Sequence, residues 1–268
     1  MSTFIFDLDG TLYRDDAPLA GARETVAALR RRGHHVLYAS NNSTRTRADY
    51  MTKLAALGLE VEPHGLATSA HSTALYLLSL PTPPRSLLIL GAPAIAEEIA
   101  AAGLEIRTDD APPVDTVVVG LDRAFTYARL AAAQAAVLAG AALVASNRDP
   151  QYPGHDRLYP GAGSIVAAVE SATHATAHTV GKPSAYMYDT LMKATGADAA
   201  TTVVVGDSLL TDIAAAAPLG LYSVLVLTGV SAAPPPDAPI QPGLVIPSVA
   251  DLIPSLERAR PDVIASTR

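Results

Sequence analysis

The chain has 268 residues and a formal net charge of −7, with 49% hydrophobic and 17% charged residues. That composition excludes a disordered chain and gives no electrostatic reason to expect nucleic acid or an anionic membrane as a partner. There is no cysteine, which excludes disulfides, thiolate metal sites and cysteine nucleophiles and fits a cytoplasmic location.

The start, Met1-Ser2-Thr3-Phe4-Ile5-Phe6, lacks the basic region and long apolar stretch of a signal peptide. Phe4–Phe6 predicts a strand, Gly21–Arg32 a helix, Val36–Ala39 a second strand and Thr46–Leu57 a second helix. The Arg30-Arg31-Arg32 run reads as cations in the last helical turn before Gly33. From Pro83 to Ala177 the alternation repeats with its own strands (Ser86–Leu90, Thr116–Val119, Leu143–Ala145) and helices (near Ala94–Ala102, Thr126–Leu138 and Ser164–Ser171). Later come a helix at Tyr186–Thr195, a strand at Thr202–Val205, a helix from Ile213 and a strand at Tyr222–Leu227. Ile213–Val230 carries no charged side chain, which raises the question of a membrane span. Pro218 and Gly220 split it into a buried helix and a buried strand. Ala232–Pro242 is Pro-rich and predicts a surface loop.

Continuous apolar strands alternating with helices predict a doubly wound, Rossmann-like parallel sheet. The expected division is a core of residues 1–82 and 178–268 with an α/β unit, 83–177, inserted in it.

Chemistry-bearing residues gather just past the predicted strand ends, the rim at which open parallel sheets bind ligands. Asp7 and Asp9 follow the first strand, Ser40 the second, and Asp207 the strand Thr202–Val205; Lys182 lies in Gly181-Lys182-Pro183. Two carboxylates so close in sequence cannot both ionise freely unless a cation lies between them. Oxygen donors alone point to magnesium. A carboxylate nucleophile beside a second carboxyl group also provides a covalent phospho-aspartate route with an acid/base partner, and Gly10 permits a turn that brings backbone amides to a phosphate. Each piece has a plainer reading taken alone. Asp7–Thr11 makes an ordinary turn, Ser40-Asn41-Asn42-Ser43 caps a helix, and Gly206-Asp207 through Asp212 opens one.

The ordered set Asp7-x-Asp9-Gly10-Thr11, Ser40, Lys182, then Gly206-Asp207-x-x-x-x-Asp212 resembles the four motifs of the haloacid dehalogenase-like superfamily of hydrolases. The resemblance implies a magnesium-dependent phosphatase. Asp7 would be nucleophile and metal ligand, and Asp9 the acid/base with its carbonyl on the metal. Ser40, with Asn41, and Lys182 would hold phosphoryl oxygens. Asp207 would ligate Mg2+ and Asp212 would orient Lys182 or the metal's waters. Asp9 is not matched in the dehalogenases of the superfamily. Only 33 positions separate Asp7 from Ser40, too few for the helical caps of mutases, whereas 142 separate Ser40 from Lys182. That placement, with Val118–Asp122, Ser146–Asp149 and Pro160–Ser164, resembles the NagD-like branch, which includes 4-nitrophenylphosphatases and phosphoglycolate phosphatases.

In that branch the inserted unit is a cap that chooses the substrate, so Asn147, Arg148 and Asp149 are expected to face it. Arg148 would pair with a second anionic group. The expected substrate is a small anionic phosphomonoester such as phosphoglycolate, glycerol phosphate or a sugar phosphate. Phosphotransfer to an acceptor other than water, or a binding protein that has kept the fold, are the competing readings. Caps of this type often dimerise, so a homodimer through the cap is also expected. His174 and His178 lie four apart, but no third ligand makes them a zinc pair.

Overall fold

A computed structural model describes residues 1–62, 64–106, 113–153 and 157–265. The chain divides into two compact units. The first holds Met1–Ser40, Tyr50–Ala67 and Lys182–Arg268, and the second holds Asn41–Asp49 and Thr68–Gly181.

The elements used below, in chain order, begin with β1 (Thr3–Phe6), α1 (Ala22–Arg31), β2 (His35–Ser40), α2 (Arg47–Ala56), β3 (Leu66–Thr68) and α3 (Ser69–Ser79). Next come β4 (Leu87–Leu90), α4 (Pro93–Ala101), β5 (Thr116–Val119), α5 (Tyr127–Leu138), β6 (Ala142–Ala145), α6 (Ala162–Thr173) and β7 (His178–Thr179). The chain then forms α7 (Tyr186–Thr195), β8 (Thr202–Gly206), β9 (Tyr222–Val226), β10 (Leu244–Ile246) and α8 (Leu252–Ala259), with a final turn of helix, α9, at Pro261–Ile264.

In the first unit the strand order is β10-β9-β8-β1-β2-β3. β1 pairs parallel with β8 and β2, in register Phe6–Val205 and Phe6–Tyr38. Phe4 and Phe6 enter one apolar layer with Val36, Val203, Val205, Val26, Leu29 and Leu256. Ile5, between them, enters the opposite layer with Leu37, Val204, Met187 and Leu191. Burial on both faces explains why β1 reads as an unbroken apolar run. Each large side chain withdrawn from water this way contributes about 2 kcal/mol. The chain leaves β1 to one side for β2 and returns on the other side as β8, so the sheet reverses direction at β1. A crevice at the carboxyl ends of the strands is the geometric result.

The second unit has a parallel sheet of its own, β7-β6-β5-β4. Leu88, Leu90, Val117, Val119, Leu143 and Ala145 pack against Val166 and Val169 of α6. Its limits differ from those expected at 83 and 177. Helix α3, which no proline or glycine announces, is capped directly from the end of β3, where Thr68 Oγ1 accepts from His71 N–H at 3.2 Å. It packs along α4 inside the second unit. At the other end β7 pairs with β6, so the unit runs on to Gly181.

The charge-free stretch from Ile213 is no single helix. A π-helical turn at Leu209–Ile213 runs through Ala214–Ala216 to Gly220, and β9 then pairs between β8 and β10. Among the described residues no helix is long and apolar enough to cross a membrane. Ala232–Pro242 contains neither helix nor strand, and Gln241 closes it on the carbonyls of Pro235, Pro236 and Ala238.

His34 ties both ends of the first unit together. Its Nδ1 accepts from Ser2 N–H at 3.3 Å, so the neutral ring carries its proton on Nε2 and donates it to Ile264 O at 3.4 Å. Burial lowers its pKa below the usual 6.5. Because the folded value is depressed, the stability from neutral His34 is present above pH 6.5 and lost as the pH falls through the folded value. Urea unfolding from pH 8 down to 5 is expected to show this acid-side loss, and His34→Gln to lack that part of the slope. Equal slopes in the two proteins would refute it.

Candidate active site

The site is assembled where the sheet reverses. Asp7 follows β1 and its N–H still donates to Val205 O at 2.8 Å, so the strand direction delivers its carboxyl group to the rim. The β1–β2 register sets Asp7 level with Ala39. Lys182 reaches the same point and its ammonium uses all three donors. It donates to Asp7 Oδ1 at 2.6 Å, to Asp212 Oδ1 at 2.7 Å and to Ala39 O at 3.0 Å. Its side chain is only 2% exposed. Burial works against the ammonium, but the Asp212 and Asp7 carboxylates hold Lys182 well above the usual lysine range.

Asp207 follows β8. Its Oδ2 accepts from Val230 N–H at 2.8 Å. Asp212 sits in the π-helical turn, its Oδ2 accepting from Ser208 N–H at 3.0 Å and its Oδ1 approached by Tyr188 Oη at 3.5 Å. Carboxylate oxygens of Asp7, Asp207 and Asp212 lie within 4.8 Å of one another. Burial pushes Asp7 well up, with Lys182 opposing, and burial together with Asp212 pushes Asp207 up to about 7. Backbone packed against these carboxylates leaves no room for side chains. A Cβ at Gly229 would stand 1.7 Å from Asp207 Oδ2, and one at Gly206 2.4 Å from Asp212 Oδ2. Gly10, with φ of +83°, has the same restriction at 2.6 Å from Asp207 Oδ2. Its N–H is committed to Tyr13 O at 2.8 Å, so Gly10 makes room for Asp207 rather than presenting its own amide to a phosphate.

Counted as ionised, the three carboxylates and one ammonium would carry a formal charge of −2 in a buried space, and the upward shifts of Asp7 and Asp207 register the cost of keeping it there. A dication would cancel it, and an all-oxygen donor set suits magnesium. Both oxygens of Asp212 take short hydrogen bonds, from Lys182 at 2.7 Å and Ser208 N–H at 3.0 Å, whereas Asp7 Oδ2 meets only the Thr11 hydroxyl at 3.4 Å, which makes Asp7 and Asp207 the better placed carboxylates for such an ion. Asp212 is the residue that orients Lys182. Asp9 stands apart from the cluster. Its side chain is exposed and its Oδ2 accepts from Tyr13 Oη at 3.1 Å. Desolvation by the surrounding protein raises its pKa, with Lys53 and the Tyr13 hydroxyl opposing. Ser40 ends β2 and is buried.

Within the second unit Asn41, Asn147 and Asp149 form one network. Asn147 Nδ2–H donates to Asn41 O at 2.8 Å and Asn41 Nδ2–H to Asp149 Oδ1 at 3.0 Å. Asn147 is buried and committed to holding the 41–49 segment. Arg148, expected to meet a substrate anion, is spent elsewhere. Its guanidinium makes a two-pronged pair with Glu170, donates from Nε to Thr179 Oγ1 at 2.7 Å and from Nη2 to Ala177 O at 3.2 Å. Loop residues that precede a helix and a short strand leave a long guanidinium free to fold back on both, which no local pattern reveals. Tyr13, Lys53, Tyr188 and Gly229 were not picked out from the sequence; Tyr13 alone carried a signal, closing the run that begins at Asp7.

Fold and site together define an α/β enzyme whose working groups are buried carboxylates at the switch point of a parallel sheet. Residues 4–105 match a model described as haloacid dehalogenase-like hydrolase, and residues 179–252 one described as HAD-hydrolase-like. A glycerol-3-phosphate phosphatase of Gallus gallus is 37% identical over 289 residues, covering 96% of this chain and 92% of the relative. The structure of a glycerol phosphate phosphatase from Mycobacterium tuberculosis, solved with magnesium, superposes with a TM-score of 0.85 at 34% identity, covering 94% of this chain and 76% of that one. NagD from E. coli K-12 does so at 0.84 and 31%, covering 94% and 98%. The chain belongs to the haloacid dehalogenase-like hydrolase family.

Removing the Lys182 ammonium leaves Asp7 and Asp212 buried without a cation. Lys182→Met is expected to cost the metal-free protein about 3–5 kcal/mol in urea unfolding; a loss under about 1 kcal/mol would show that the pairing is not what holds the cluster. Arg148→Ala is expected to lower the melting temperature by several degrees while leaving the ratio of rates on anionic and neutral phosphate esters unchanged. A changed ratio would return Arg148 to the substrate.

Proposed function

We propose that the chain is a magnesium-dependent phosphomonoesterase acting on small phosphorylated metabolites, glycerol and sugar phosphates first among them, through a phosphoryl group carried on Asp7. The observation that carries this reading is the buried Lys182 ammonium clasped between Asp7 and Asp212 with Asp207 beside them. Such an array has no use in a simple binding protein, since desolvated like charges are costly to keep. The substrate class is supported by relatives named as glycerol-3-phosphate phosphatase and acid sugar phosphatase.

Asp7 and Asp207 would hold the cation, with the Asp9 carbonyl. The bound ion supplies positive charge that neutralises the carboxylates and draws electron density from the phosphoryl group. Lys182 already donates to Asp7 and would exchange one of its three hydrogen bonds for a phosphoryl oxygen, with the Ser40 hydroxyl at the neighbouring strand end. Asp7 attacks the phosphorus. The bond to the ester oxygen breaks with its electron pair on that oxygen, which takes a proton from Asp9. In the second half Asp9 accepts a proton from water, and the water oxygen attacks the phosphorus. The bond to Asp7 then breaks with its pair returning to the carboxylate. The raised pKa of Asp9 suits a group that must carry a proton in the first half.

The second unit is read as the cap that selects the substrate. A cytoplasmic location and a homodimer through that unit complete the reading, and light scattering tests the latter. With 4-nitrophenyl phosphate, phosphate release is expected only with magnesium and to stop with EDTA. Asp7→Asn is expected to lower it by on the order of 10³-fold or more. Full activity in that variant, or release indifferent to EDTA, would overturn the proposal.

A further inference from the structure

The loop from Asp7 to Tyr13 folds back on itself. Leu8 O accepts from the N–H groups of Thr11, Leu12 and Tyr13 at 3.3, 2.9 and 3.3 Å, and Gly10 N–H donates to Tyr13 O. The two ends of this turn, Asp9 and Tyr13, are joined by a bridge. The turn sets a fully buried aromatic residue under an exposed carboxylate. The Tyr13 ring cannot swing away. Lys53 Nζ stands 4.2 Å above its centroid, itself anchored to Asp15 O at 2.6 Å and Asp16 Oδ1 at 3.3 Å.

We propose that Tyr13 is a positioning residue that pins Oδ2 of Asp9 and thereby assigns Oδ1 as the oxygen that passes a proton to the departing alkoxide and takes one from water. This rests on the phosphatase reading and adds to it a residue outside the four motifs. The direction of one hydrogen bond decides the assignment. The phenol hydroxyl has a single proton, and Asp9 Oδ2 is its only hydrogen-bond acceptor among the described residues. If Oδ2 held the carboxyl proton it would be a much poorer acceptor than a carbonyl oxygen, and the phenol bond would weaken. Oδ2 therefore accepts, and the exchangeable proton of Asp9 resides on Oδ1. An exposed aspartate would otherwise rotate among several orientations, only some aiming an oxygen at the ester.

The proposal predicts a dependence on the leaving group. An alkyl phosphate expels a poor leaving group that needs a proton from Asp9, whereas 4-nitrophenolate departs without one. The experiment compares wild type with Tyr13→Phe in magnesium. The substrates are 4-nitrophenyl phosphate and whichever of sn-glycerol 3-phosphate, glucose 6-phosphate or ethyl phosphate turns over fastest. It reads kcat/KM, which reports steps up to the loss of the leaving group, referred to the folded fraction measured by circular dichroism. The expected result is an approximately tenfold fall in kcat/KM on the alkyl ester, with the aryl ester held within about twofold. A role confined to packing would slow both esters alike. Equal falls on the two esters, or no fall on either, overturns the proposal and leaves the phosphatase reading intact. A wild type that releases phosphate from neither ester removes both.

Discussion

The first unit is organised around one buried ammonium. Lys182 is enclosed where water cannot solvate it, and it persists because two carboxylates and a carbonyl take its three protons. The dependence runs both ways. Asp7 and Asp212 tolerate burial because Lys182 lies between them, and the remaining negative charge fits the site for a dication. In the proposed reaction the same group would both balance charge in the fold and meet the phosphoryl group. Phosphoryl transfer asks mainly for fixed positive charge, and an ammonium already held in place has little reorganisation to undergo.

Holding carboxylates in place takes backbone as well as charge. Gly229, Gly10 and Gly206 let main chain pack against Asp207 and Asp212 at distances no side chain would allow. The amides of Val230 and Ser208 then fix one oxygen of each. Asp9 is treated differently. Standing outside this packed cluster, it keeps solvent access and is steadied by a single phenol hydroxyl. A group that would both lose and regain a proton in the proposed reaction benefits from that looser environment. The second unit has its own sheet, core and charged brace. Arg148 and Glu170 join β6's loop to α6, and Asn147 secures the segment that begins at Asn41.

Much of this was legible in the residues. The apolar runs of β1, β2, β8 and β9 gave the parallel sheet, because strands buried on both faces cannot alternate with polar positions. Asp7, Asp207, Asp212 and Lys182 were all named, and the structure brings them together. Less legible was whatever depended on partners distant in sequence. Helix α3 follows β3 with no breaker between them, the two-residue strand β7 exists only by pairing with β6, and the helix expected from Ile213 is cut to Ala214–Ala216 and a tight turn at Ala217–Leu219, entered through a π-helical turn in which Asp212 reaches back to Ser208. Arg148 shows the same dependence. A guanidinium on a polar loop suggests an anion from outside, and only the fold shows that Glu170 supplies it.

By itself, the sequence determined the class of fold, the order of its motifs and the identity of the acidic groups. These are local matters: which residues are apolar, how they alternate, and which side chains follow each strand. Only the tertiary structure decided how the charges pair. It put Lys182 between Asp7 and Asp212, gave Asp207 its space beside Gly10 and Gly229, and set Tyr13 beneath Asp9. The reason is physical. The strength of a charge pair and the state of a proton depend on burial and on distances of a few ångströms, and neither quantity exists until distant parts of the chain have packed.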